Sequence, residues 1–397
     1  MKFFYSLGVN AYVAGIKVSS LWNKKASMWV AGRQDVWQQV ENFKTDKKVV
    51  WFHCASLGEF EQGRPLMEAL KAQEDVAIVL TFFSPSGYEI RKNYEGADLI
   101  VYLPKDSKKN AKRFLQAIHP EKIFFVKYEF WANYILEAKK LNKSVYSVAA
   151  LFRENQIFFK WYGGYFRKIL SAFDTLFVQN EASKKILQSI EVDSVVAGDP
   201  RYDRVTGNAA KVVQYPEIEE YIGSQKVLVC GSIWKEDLEV LFEKINQLND
   251  WKIIIAPHEI EGVFIHEIIQ KIKLKSVQYS VLTNQQNDAN VLIIDNIGML
   301  MNVYQYADVA YVGGGFKTGL HNILEPAAFG VPVIFGDKHE KFPEAKEFIT
   351  NEVGFSVSGK EVLASVFDEL ASTNEKEKVK AFMAERTGAT DKILKMI

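Results

Sequence analysis

Along most of the chain, short apolar runs alternate with segments whose apolar residues recur every three or four positions. "KVVWFHCAS", "VAIVLTFFS", "EKIFFVKYE", "KSVYSVAAL" and "DTLFVQN" read as buried strands, while "EQGRPLMEALKAQ" and "DSKKNAKRFLQAIH" read as amphipathic helices. Strands separated by helical patterns predict βαβ units and a parallel sheet. Across "VAGDPRYDRVTGNAAKVVQYPEIEEYIG" the periodicity lapses and turn residues gather, which predicts a crossing between domains. The pattern then restarts with strands "KVLVCGS", "WKIIIAPHE", "NVLIIDN" and "DVAYVGGG", separated by helices "KEDLEVLFEKINQL", "FIHEIIQKIK" and "GMLMNVYQYA". The expectation is an α/β chain of two doubly wound halves, 1–205 and 206–397, facing across a cleft. Ligands in such sheets sit beyond the carboxyl ends of the strands.

A length of 397 residues suits two domains. Its 49 basic and 49 acidic residues cancel, so no global field draws in nucleic acid, and none is expected as a partner. Cys54 and Cys230 lie far apart in apolar runs, as expected of two buried thiols in a reducing compartment. No C-x-x-C or H-x-x-x-H spacing occurs, and no metal site is expected.

The first 50 residues change the picture. Asn10, Lys17 and a serine pair interrupt the apolar start before a spanning length, and no small-residue cleavage site follows it. Eight Lys/Arg stand against three acids through residue 50. An apolar, aromatic helix with a basic flank suits the surface of an anionic membrane, and a core-docked first helix is the other reading.

The stretch "YVGGGFKTGLHNILEPAAFGVPVIFGD", residues 311–337, carries candidate chemistry. Gly313, Gly314 and Gly315 follow a strand and precede a helix expected near Leu320, so backbone amides and a helix end would converge on an anion such as phosphate. Turning a corner is the plainer use of such glycines. Glu325, one helical turn after Asn322, is the type of carboxylate that holds a ribose diol, which points to a nucleotide.

This stretch resembles the donor-site signature of the 3-deoxy-D-manno-octulosonic acid (Kdo) transferases. Further motifs agree in order. "WFHCASLGEFEQGRPLMEAL" is similar to the family's acceptor-side Gly-Glu motif and "TFFSPSGYE" to its Thr-x-Thr-Pro-x-Gly segment; "VYLPKD" follows. "KYEFWANYI" is similar to Glu-Leu-Trp-Pro-Asn and "GDPRYD" to Gly-Asn-x-Lys-Phe-Asp, so the likeness runs from about residue 12 to about 350. The resemblance implies the GT-B fold of two Rossmann-like domains, with the donor CMP-Kdo bound by the second. It also implies a lipid A precursor as acceptor, inverting transfer, and a place at the cytoplasmic face of the inner membrane. The chain departs from the pattern at several points. "APHEIE" keeps His258 without the family's arginine, Met299 replaces an acid in "DNIGMLM", and "GSIWKED" stands for Ser-Thr-His. Lys127 and Ala132 replace the acid and proline around Glu129 and Trp131.

An acceptor hydroxyl titrates far above neutral pH, so a carboxylate must take its proton as the new bond forms. Glu59, just past the first strand and beside the permissive Gly58, is the expected base. Ser56 and Glu59 also spell a capping box, the structural alternative, and Glu61 is the neighbouring carboxylate. On the donor side Ser232, Lys317 and Arg201 are expected at the phosphate with Gly314 and Gly315. His258, His321 and Asn322 are expected beside them, and Glu325 at the ribose. Glu129 and Trp131 are expected to line the acceptor side. No Asp-x-Asp pair occurs, so no metal or other cofactor is expected. A nucleotide-sugar epimerase of the same fold, or a noncatalytic membrane-bound sensor of the sugar nucleotide, are the rival readings.

Overall fold

The computed structural model describes residues 1–282, 288–317 and 319–397. In the first half the strands are β1 (Lys48–Cys54), β2 (Val76–Phe82), β3 (Leu99–Tyr102), β4 (Pro120–Val126), β5 (Ser144–Ala150), β6 (Thr175–Val178) and β7 (Val195–Val196). They form one sheet in the order β3-β2-β1-β4-β5-β6-β7, every neighbouring pair parallel. Helices cover both faces, so β1 is apolar on both: Val49 and Trp51 enter one core cluster, Val50, Phe52 and Cys54 the other. The reversal of strand order falls between β1 and β4.

The second half repeats the scheme with β8 (Lys226–Ile233), β9 (Trp251–Pro257), β10 (Ser276–Gln278), β11 (Val291–Ile293), β12 (Val309–Val312), β13 (Val333–Gly336) and β14 (Gly354–Val357). Their order is β10-β11-β9-β8-β12-β13-β14, again all parallel. Here the reversal lies between β8 and β12. Both sheets fit the expected α/β class of two Rossmann-like halves. Cys54 and Cys230 are buried thiols, and burial pushes both well above the ordinary range.

Two expectations need correction. The aperiodic stretch near the crossing is helical, over Pro200–Ala209 and Pro216–Ile222, and the compact units divide at Asp203/Arg204. Residues 388–397, assigned from sequence to the second half, belong to the first unit. Their helix Ala389–Leu394 packs on the helix Leu57–Gln73. The Asp203 carboxylate fixes it by accepting hydrogen bonds from the amides of Gly388 at 2.5 Å and Thr390 at 2.7 Å. Gly388 has φ 98°, a conformation that suits glycine.

The N-terminal helix Lys2–Ser19 buries none of its residues. Tyr5 ties it down, donating to Asp106 at 2.5 Å and accepting from the Ala132 amide at 3.2 Å. Phe3, Phe4 and Leu7 stay exposed, Phe3 at 72%. Among the described residues no helix is long and apolar enough to cross a membrane.

Asp203 acts on Gly388 and Thr390 as a helix cap does, so Asp203→Ala should destabilise the first unit by about 1–2 kcal/mol. Calorimetry would register this as a lower melting transition of roughly 2–4 °C per kcal/mol in a domain of this size. An unchanged transition would show that the contact contributes nothing.

Candidate active site

In the first unit the candidate residues gather at the carboxyl ends of β1 and β4, on either side of the order reversal. After β1 the chain turns through Ser56 into the helix Leu57–Gln73, with Glu59 in its first turn. Ser56 makes no side-chain bond to the helix amides. Its Oγ donates instead to the Glu59 carboxylate, so the capping box expected as an alternative is not formed. Glu59 is partly exposed, and a Cβ on Gly58 would meet nothing nearer than Ser56 Oγ at 3.8 Å. Glu61 is ion-paired with Arg91 at 2.9 Å.

After β4 the chain reverses at Lys127, a non-glycine residue with φ 67°, and delivers Glu129 and Trp131 to the same edge. Both meet His53, a fully buried histidine on β1 that the sequence reading passed over. His53 Nδ1 lies 2.8 Å from the hydroxyl of Thr81, its register partner on β2. Its Nε2 lies 3.2 Å from Glu129 Oε2. The Trp131 indole N–H reaches Glu129 Oε2 at 2.6 Å and His53 Nε2 at 2.9 Å. One indole proton serves one short bond, which goes to the carboxylate. The Thr81 hydroxyl accepts from the Trp51 indole at 2.8 Å and donates to the Phe52 carbonyl at 3.3 Å, which fixes the Nδ1 side of the His53 ring. The Glu129 carboxylate is thus held by the Trp131 indole, with His53 Nε2 beside it. A histidine inside a strand as apolar as "VVWFHC" is the signal that marks it.

In the second unit the corresponding edge carries Ser232, Trp234 and the glycine run. Ser232 sits at a register shift of β8 with φ 54°, a strained backbone of the type that collects at functional sites. Asp237, fully buried, accepts from the Trp234 amide at 2.9 Å, the Gly314 amide at 3.0 Å and the Tyr311 hydroxyl at 2.8 Å. Gly313 donates its amide to the Gly231 carbonyl. The expected cradle of open amides is therefore corrected: Gly313 and Gly314 are already engaged. The bare backbone serves packing, since a Cβ on Gly313 would lie 2.3 Å from the Ser232 carbonyl and one on Gly315 2.6 Å from the Gly336 amide. No helix starts at Leu320 either. The next is the five-residue Leu324–Ala328.

Asn322 accepts from the Leu324 amide and donates to Glu325 Oε1 at 3.0 Å. Burial raises the Glu325 carboxyl above its usual range, opposed by Asn322 and by the charge of Arg204. The cation expected here was Arg201. That guanidinium belongs to the first unit and grips Asp199 through Nε at 3.0 Å and Nη2 at 2.8 Å, with Gln62 on the same carboxylate. Burial would raise Asp199, but Arg201 holds it below the carboxylate range. Three residues on in "RYDR", Arg204 belongs to the second unit and its charge acts on Glu325. Lys317, mostly exposed, is paired with Glu236 at 2.6 Å.

His258 and His321 come together around Trp234, which stands where the resemblance would place a histidine. Trp234 stacks on His258 with centroids 4.3 Å apart, and His258 lies 4.5 Å from His321. The Trp234 indole donates to His321 Nε2 at 2.8 Å. Burial, with His258 adding to it, lowers His321 to about 4. His321 is therefore a neutral imidazole whose remaining proton is on Nδ1, a hydrogen-bond donor without charge.

The depressed His321 value has a sign that can be measured. Between pH 6.5 and about 4 the unfolded chain binds a proton that the folded site refuses, so this group's stabilisation is complete above pH 6.5 and is lost as pH falls. Replacing it in His321→Gln should flatten the dependence of unfolding free energy on pH in that window by up to about 1.4 kcal/mol per pH unit. Denaturant titrations at a series of pH values supply the slope, and an equal slope in both proteins would refute the assignment.

Several known proteins are similar to this chain. Residues 31–204 match the family model described as 3-deoxy-D-manno-octulosonic-acid transferase (kdotransferase). The 3-deoxy-D-manno-octulosonic acid transferase of Aquifex aeolicus is 28% identical over 350 residues, covering 85% of this chain and 90% of that protein. The Chlamydia trachomatis serovar A transferase of the same name is 28% identical over 363 residues, covering 86% of this chain and 83% of its own. A bifunctional glycosyltransferase/methyltransferase of Fusobacterium nucleatum is 26% identical over 86% of this chain, which spans 55% of that longer protein. Among solved structures, the UDP-GlcNAc 2-epimerase of Neisseria meningitidis bound to UDP-GlcNAc aligns with a TM-score of 0.58 at 15% identity, covering 88% of this chain and 98% of that one. A glycosyltransferase from Rickettsia africae aligns with a TM-score of 0.57 at 15% identity, over 89% and 98%. These last two speak to the fold alone. With the ordered motifs on the carboxyl edges of two parallel sheets, the chain has a GT-B-like fold and is similar over most of its length to 3-deoxy-D-manno-octulosonic acid (Kdo) transferases.

Proposed function

We propose that this chain transfers Kdo from CMP-Kdo to a lipid A precursor with inversion, in lipopolysaccharide synthesis at the cytoplasmic face of the inner membrane. The observation that carries the reading is Glu59: its carboxylate lies at the order reversal of the first sheet, oriented by Ser56 Oγ and not engaged as a helix cap. Glu59 takes the proton of the acceptor hydroxyl as that oxygen bonds to the anomeric carbon, and the CMP phosphate oxygen leaves with the electron pair of the broken bond. Glu129, held by Trp131 with His53 beside it, lines the acceptor side.

On the donor side Glu325 accepts from the ribose hydroxyls, steadied by Asn322. Ser232, Lys317, Arg204 and the neutral His321 donate to the phosphate and sugar acid, with His258 stacked behind them. Charge on a departing phosphate monoester can be met by such fixed donors, so the reading calls for no divalent metal. An epimerase on this fold would need no lipid acceptor, and the exposed aromatic face of the helix Lys2–Ser19 favours a membrane-borne one.

Incubation with CMP-Kdo and tetraacylated lipid A precursor, followed by mass measurement, should show lipid heavier by whole Kdo units. Glu59→Gln keeps the side-chain size but cannot take a proton, so transfer should fall by roughly 10²–10⁴ while CMP binding and melting hold. Near-normal transfer by this variant would remove Glu59 from the role of base.

The membrane part is tested without deleting the helix, because Tyr5 anchors it. Phe3→Ser, Phe4→Ser and Leu7→Ser together should reduce co-sedimentation with anionic vesicles and leave the melting transition in place. Undiminished sedimentation would mean that this face does not dock on lipid.

A further inference from the structure

A groove of about 310 Å³ opens in the first unit between the helices Lys2–Ser19 and Lys24–Ala31 and the segment that follows β2. That volume is at the lower end of small-ligand pockets, about 300–1,000 Å³. Tyr12, Ile16, Ala26, Trp29 and Phe83 give it an apolar lining, with Lys25 as its cation. The polar side chains that line it are already engaged. Ser19 Oγ donates to the Ile16 carbonyl, Asn23 accepts from the Ala26 amide, and Ser84 Oγ lies 3.0 Å from Ser86 Oγ. The buried Trp29 indole N–H has no partner. Water in such a groove finds few of the polar contacts that hold it, which favours an apolar guest.

The walls are preformed. Tyr12 stacks on Phe83 at 6.0 Å, and Trp29 meets Phe83 edge-on at 5.7 Å. Arg33 lies 3.6 Å over the Trp29 ring and donates to the carbonyls of Trp29 at 3.0 Å and Phe83 at 2.9 Å, tying the two walls together. One wall of the groove also packs against the candidate active site. Phe83 stacks on Trp131 at 5.0 Å, and Trp131 holds Glu129. The amides of Phe83 and Ser84 donate to the Ala55 carbonyl at 3.2 and 2.7 Å, and the next residue, Ser56, holds Glu59. Gly87 seals this contact, since a Cβ there would lie 2.9 Å from the Ser56 backbone.

Resting on the transferase reading above, we propose that this groove binds one acyl chain of the glycolipid acceptor. The occupant follows from the surroundings: aromatic and aliphatic side chains make up most of the lining and its serine and asparagine side chains are already engaged, one wall is the helix whose aromatic residues face outward, and another is the segment that packs against the proposed base's turn. A nucleotide or a sugar would find too few polar partners there. The chain would draw the lipid out of the bilayer along the helix Lys2–Ser19 and set its sugar head at Glu59.

The test uses the full protein, CMP-Kdo, and two acceptors: tetraacylated lipid A precursor and the same glycan fully deacylated. Each buried methylene strengthens binding roughly fourfold. The unaltered protein is expected to prefer the acylated acceptor at least tenfold in kcat/KM, and Ala26→Phe, which fills the groove, should bring that ratio toward one. Ile16→Phe is a second filling variant should the first fail to fold. A precursor with a photoreactive diazirine in one acyl chain should label the peptides containing Tyr12 to Trp29 or Phe83. Unlabelled precursor should suppress that labelling, and phospholipid vesicles should not. Equal use of both acceptors, a preference that survives filling, labelling elsewhere, or suppression by phospholipid would each overturn the groove while Kdo transfer stands. Absence of transfer to either acceptor would instead overturn the transferase reading, and the labelling would still decide the groove.

Discussion

Parallel pairing is the constraint on which everything else rests. Because the strands within each sheet run parallel, each connection must cross back over a face, and the strands of a sheet all end at the same edge of it. Where strand order reverses, at β1/β4 and β8/β12, two successive loops diverge to opposite faces and leave room between them. Several unusual features lie there: the Ser56–Glu59 contact, the positive φ of Lys127 and of Ser232, and the glycine run held by Asp237.

Asp237 illustrates how burial and chemistry are coupled in the second unit. One carboxylate, out of water, satisfies a helix start, a glycine amide and a tyrosine hydroxyl, and burial still raises it above the carboxylate range. Removing any partner would leave a charged oxygen underbonded in the core, so the path of residues 313–315 is strongly determined. The stack of Trp234, His258 and His321 then inherits its position from the same carboxylate through the Trp234 amide.

Much of this was legible in the sequence, because long apolar strands and amphipathic helices carry strong periodic signals. Strands β7, β10 and β14 were not: β7 is only Val195–Val196, and Ser276, Gln278, Gly354 and Ser356 break the apolar runs of the other two. The structure places Glu59 in the first turn after β1 and Glu129 and Trp131 just beyond β4, at strand ends that the apolar pattern predicts. In "RYDR" nothing local tells the arginine that pairs with Asp199 from the one three residues on whose charge meets Glu325. The glycine run misled for a related reason. A bare backbone is required equally by a phosphate and by a neighbouring strand, and only coordinates show the Ser232 carbonyl and the Gly336 amide filling the space. His53 stands out in the sequence as a histidine inside an apolar strand, but its partners and those of Trp234 come from contacts across strands and loops, which spacing along the chain does not encode.

The return of residues 388–397 to the first unit makes the second a topological insertion, bounded by Asp203 and Gly388, which one carboxylate pins together. A chain made from its amino end therefore cannot close its first domain when that domain's sheet is complete. The last helix arrives only after the whole second domain has been synthesised, so until then Asp203 and the apolar patch awaiting Ile393 are bare. The amino-terminal domain is thus the last to mature, and lesions near residue 390 would register as defects in a domain encoded almost entirely at the other end of the chain.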